Sequence, residues 1–172
     1  MLETKADKLN FVLEATKTHK HQGKTFFNHL FQTSGIVEKL CQDVGIEDYQ
    51  YLVDAALYHS IYGTDYYEFN ENISRESITK LIGEKAEKLV HFFCSLPDRN
   101  LQILQHKFTP AILQRDLYIL EYANLLEISI NDVSRTSTLN PSKIFRLKLI
   151  RANLIDHYQL KIPPLPFEFK TK

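Results

Sequence analysis

Apolar residues recur along most of this chain at intervals of three and four, the period of a helix that buries one face. From Leu2 to about Thr18 the positions Leu9, Val12, Leu13 and Thr16 predict a first helix. The polar, glycine-broken run from His19 to Thr25 then reads as a loop. Thr25 is placed to cap a second helix from Phe26 to about Asp43, with Phe26, Leu30, Thr33, Val37 and Leu40 as its stripe and Gly45 at its end. Glu47 and Asp48 suit the first turn of a third helix that runs to His59, since negative charge favours a helix N-terminus. Ser74 caps a short helix to Ile82, and Ala86, Leu89, Val90 and Phe93 mark another from Glu84 to Ser95. After a weakly patterned link from Arg99 to Lys107, Thr109-Pro110 opens a long helix whose stripe runs Leu113, Leu117, Leu120, Asn124, Ile128. Asn140-Pro141 repeats the signal and opens a last helix with Ile144, Leu147, Ile150 and Leu154 inward. The expected fold is all-α, a single-domain bundle of about seven helices.

Composition narrows the class. The 172 residues suffice for one core, so residues 1–160 are read as one helical domain and 161–172 as a proline-rich extended tail. Lysine plus arginine equals aspartate plus glutamate at 21 each, which gives no field to draw in nucleic acid or an anionic membrane. No stretch approaches the roughly 20 apolar residues of a membrane span, and the N-terminus lacks a signal-peptide core. A cytoplasmic protein with a small-molecule or protein partner is expected. Cys41 and Cys94 lack C-x-x-C spacing and read as reduced thiols.

The long helix puts a side-chain amide, Asn124, where another leucine belongs. In the third helix, His59 follows Leu52, Ala55 and Ala56 by seven, four and three residues and so faces the interior with them. A buried imidazole needs a partner, whether a metal, a ligand or a backbone carbonyl. His29 borders the stripe of the second helix and His21 lies in the loop before it. Three imidazoles brought together suit zinc, iron or manganese. The loop after His59 carries Tyr62, Gly63, Asp65, Tyr66, Tyr67, Glu68 and Phe69, flat rings and carboxylates suited to covering a ligand.

These residues resemble the HD-domain metal-dependent phosphohydrolases, and most of all the hydrolase domain of the stringent-response alarmone enzymes. The likeness lies in His21-Gln22-Gly23-Lys24-Thr25-Phe26-Phe27-Asn28-His29, in Ala55 to Asp65, in Leu81-Ile82-Gly83-Glu84, and in Glu121-Tyr122-Ala123-Asn124-Leu125-Leu126. It implies an all-helical fold and a divalent metal held by His21, His29, His59 and the Asn124 position. It also implies a phosphorylated small molecule or nucleotide as ligand, with Lys24, Tyr62 and Tyr66 as candidate contacts. Departures are equally legible. Ser60 stands at the position of an Asp ligand, Asn124 at the distant Asp, and Gly63-Thr64 at an acidic pair. Losing two anionic ligands weakens a site for hard cations, and Asp65, Glu68 and Glu121 are the carboxylates left to compensate. Two readings stay open: a variant metal-dependent hydrolase, and a non-catalytic member of the fold that binds a ligand or a protein.

Overall fold

The capping signals of the sequence delimit most helices of the computed structural model, which describes residues 3–21, 23–63, 73–105 and 107–167. Helix α1 (Lys5–Thr16) starts with a capping box between Thr4 and Asp7. Thr25 caps α2 (Phe26–Val44) by accepting from the Asn28 amide, and Gly45 ends it in the left-handed conformation. Helix α3 (Gln50–Tyr58) begins later than Glu47, because Asp48 takes a left-handed φ of 49° that breaks the helical path. Ser74 caps α4 (Arg75–Ile82), and Gly83 separates it from α5 (Glu84–Ser95). A further short helix, α6 (Arg99–Gln105), lies in the weakly patterned link. Its one buried residue, Ile103, is too little to show as a stripe. Helix α7 (Ala111–Thr136) begins after Pro110, and Asn140 caps α8 (Pro141–Tyr158) through the Lys143 amide.

The described residues thus form eight helices and one small antiparallel hairpin, β1 (Lys20–His21) and β2 (Lys24–Thr25). Strands two residues long carry no readable alternation, so nothing in the sequence marks this hairpin apart from a loop. The bundle is all-α. Helix α2 packs between α3 and α7, α5 lies against α3, and α8 covers α7. Phe26, Leu30, Leu52, Phe93, Leu117, Leu120, Leu147 and Leu154 are fully or almost fully buried, each worth about 1.5–3 kcal/mol of apolar burial. Beyond α8, Ile162 and Leu165 are buried too. Arg151 holds this segment by donating to the carbonyls of Ile162 and Pro163 at 2.8 and 2.9 Å. Among the described residues no helix is long and apolar enough to cross a membrane.

Candidate functional site

Three helices converge on a buried histidine pair. His29 sits on the inner face of α2, one turn after Phe26, and His59 caps the C-terminal end of α3. Nδ1 of His29 lies 2.6 Å from Oε2 of Glu127 on α7, and Nδ1 of His59 lies 2.7 Å from the Ala56 carbonyl oxygen. A carbonyl only accepts, so Nδ1 of His59 carries its proton, and an ionised Glu127 imposes the same on His29. Both Nε2 atoms therefore present lone pairs, and they face one another at 3.3 Å. Facing lone pairs repel unless a cation, a proton or a metal ion, lies between them.

His21, on β1, stacks on His29 with ring centroids 4.5 Å apart and planes 25° from parallel. Burial, then the neighbouring His29, lowers its pKa to about 4. The pKa of His59 lies well below the usual imidazole value for the same two reasons. Lys24, opposite His21 in the hairpin, donates to Asn131, whose amide nitrogen donates in turn to the second oxygen of Glu127. Both carboxylate oxygens of Glu127 are thus engaged.

A second buried polar cluster lies beside the pair. The Arg99 guanidinium sits 4.1 Å above the Phe93 ring, whose centroid lies 6.0 Å from that of His59 with the two planes nearly perpendicular. Arg99 Nε is 3.5 Å from Oε2 of Glu121, which also accepts from Asn124 Nδ2 at 3.3 Å. Asn100, with its amide oriented to satisfy both neighbours, donates to Glu121 and accepts from Arg146 Nη1 at 2.8 Å. Burial pushes the Glu121 pKa up, while Arg99, Asn124 and Arg146 oppose that shift.

Tyr62 is engaged as well. Its hydroxyl donates to Oε1 of Glu87 at 2.9 Å, and Arg75 grips the same carboxylate with Nε and Nη2 at 2.6 and 2.7 Å. This ties Ile61–Gly63 to the start of α4. Ser60 is buried next to His59. Asp65, Tyr66 and Glu68 lie outside the described residues. His29 and His59 meet, His21 stacks on them, and Lys24 reaches them through Asn131 and Glu127. Asn124 joins Glu121 and Arg99 on the other side. Glu127, Asn131 and Arg99 escaped notice in the sequence, although Leu120, Asn124, Glu127 and Asn131 follow 4, 3, 4 spacing on one helix face.

The donor set fits a divalent ion at two positions. Two ligands about 2.0–2.1 Å from one tetrahedral ion stand roughly 3.3–3.4 Å apart, as the two Nε2 atoms do, and a carboxylate behind a ligating histidine is a common support. Catalytic zinc, however, takes about three protein ligands. Among the described residues no group of three or more His, Cys, Asp or Glu side chains is arranged to hold a metal.

A family model described as Domain of unknown function (DUF6817) matches residues 12–99. A solved structure of a metazoan ortholog of SpoT, which hydrolyses ppGpp and plays a role in starvation responses, is similar over 90% of this chain and 88% of its own. The sequence identity is 18% and the TM-score 0.57, a likeness of fold. No curated protein matches the chain.

Proposed function

We propose that this chain, which belongs to the DUF6817 family, is an HD-fold module that binds a phosphorylated small molecule near the His29–His59 pair without hydrolysing it. The observation that carries this reading is the state of the site's carboxylates. Glu127 is taken up by His29 and Asn131, and Glu121 by Arg99, Asn100 and Asn124. With Ser60 and Asn124 at the two remaining positions, no carboxylate of the described site is left to complete a metal shell or to activate water. Arg99 supplies positive charge that suits a phosphate. The nucleotide class comes from the similar fold of the ppGpp-hydrolysing protein, and a cytoplasmic location is part of the same reading.

The test mixes the full chain with guanosine tetraphosphate, pyrophosphate and a sugar phosphate, with and without added zinc or manganese. Heat of binding and release of phosphate are followed in parallel. Saturable binding without release is expected. Metal-stimulated release, or no binding to any of the three, would overturn the reading.

The 3.3 Å nitrogen separation favours a second reading, a variant hydrolase. His29 and His59 would then hold zinc or iron, with Glu127 orienting His29, and the ion would polarise a phosphoryl oxygen. Metal analysis of protein purified without chelator or nickel separates the two: near-stoichiometric zinc or iron supports the hydrolase, and its lack the binding module.

A further inference from the structure

On the far side of Glu127 from the histidine pair, a groove of about 570 Å³ runs between α2 and α7, with Pro163 along one wall. This volume is in the range of small-molecule sites. Ile36, Leu40, Tyr122, Leu126 and Ile130 make its floor apolar. At one end Lys24 and Asn131 bring polar groups together. Among the described residues Lys24 forms no ion pair. Its ammonium has three donors and gives one to the neutral Asn131 amide. Glu127 touches the same end, but its oxygens are turned to His29 and Asn131.

Gly35 adds an independent observation. It lies inside α2, where glycine weakens a helix relative to alanine, and it lines the groove. A Cβ built there meets no atom within 4 Å, so packing within the chain does not demand a glycine. It is exposed, so the groove opens to solvent along this stretch of α2.

We propose that this groove binds a single-chain amphipathic anion of the fatty-acid kind, its carboxylate on Lys24 and its alkyl chain along Ile36, Leu126 and Ile130. An unpaired cation at one end of an apolar trough complements a molecule with one negative head and an otherwise apolar body. Polyanions fit less well, since they would leave charge against the apolar floor. The inference stands apart from the ligand proposed for the histidine pair.

The experiment titrates the full chain with decanoate and, separately, with decanol, by calorimetry. Saturable decanoate binding is expected, roughly ten-fold or more tighter than decanol, because a charge-assisted hydrogen bond to Lys24 is lost in the alcohol. Lys24→Met should remove that preference. Ile130→Asp, at a half-exposed position, should abolish decanoate binding while leaving the melting temperature nearly unchanged. The proposal is overturned if the parent protein shows no saturable decanoate binding. It is equally overturned if the folded Ile130→Asp variant binds decanoate as the parent does, or if decanol binds as tightly as decanoate.

Discussion

Nδ1 of His29 and Oε2 of Glu127 lie 2.6 Å apart, both side chains buried, and join helices separated by 98 positions in sequence. This contact sets which nitrogen of His29 is bare, and so determines that the two Nε2 atoms meet lone pair to lone pair.

Glu127→Gln keeps the volume but removes the charge that fixes the His29 tautomer, and it forces the Asn131 amide to reorient. A loss of about 1–3 kcal/mol is expected, the cost of an impaired buried hydrogen bond. Urea unfolding of parent and variant measures it. An unchanged midpoint would mean that Glu127 does not anchor the site.

His21 makes stability depend on pH. Its folded pKa of about 4 lies below the ordinary 6.5, so below pH 6.5 the unfolded chain takes up a proton that the folded chain refuses. The corresponding stability is fully present above pH 6.5 and is lost as the pH falls toward 4. His21→Phe keeps a ring against His29 and cannot titrate. Its melting temperature should fall less than the parent's between pH 7 and pH 5, by the equivalent of about 1–2 kcal/mol. Parallel curves would refute the assignment.

Arg99→Ala should be far more damaging than Glu121→Gln. The first takes a neighbouring positive charge from a fully buried carboxylate and leaves it with neutral amide partners, at about 3–5 kcal/mol, whereas the second leaves a neutral group that still forms hydrogen bonds. Thermal denaturation of the two variants gives the order, and a reversed order would rule out the pairing as a stabilising contact.

Placing aspartates at two inward positions, Ser60→Asp with Asn124→Asp, puts two further carboxylates in a buried site, one of them beside Glu121. Without metal the double variant should melt below the parent, because like charges are crowded together. Added manganese should bind the folded form and raise its melting temperature in a concentration-dependent way. A variant that folds yet ignores manganese would show that these positions do not face a common ion.

Tyr62→Phe tests the contact with Glu87. Loss of the hydroxyl bond should cost about 0.5–1.5 kcal/mol, read by thermal melting. A neutral result would free Tyr62 for the ligand-selecting role that its place in the sequence suggested.

Local sequence sets the helical period and its punctuation. Thr25, Ser74 and Asn140 cap helices, and Gly45 ends one, because capping depends on groups within a few residues of one another. It also determined that His29, His59 and Asn124 face inward, since a helical stripe is a local property. Which nitrogens meet was decided by the packing of α2 between α3 and α7. Glu127 reads along the chain as one more charged residue on a long helix, and only its approach to His29 makes it the anchor of the pair. Arg99 lies in a segment with no stripe, and its importance comes from Phe93 beneath it and Glu121 beside it. Likewise the place of Lys24 at the end of a groove between α2 and α7 is not visible along the chain. Charged side chains reveal themselves locally only as polar. Their function is fixed by which opposite charge, lone pair or apolar wall the tertiary fold brings within a few ångströms, and that is set by helix packing over long separations in sequence.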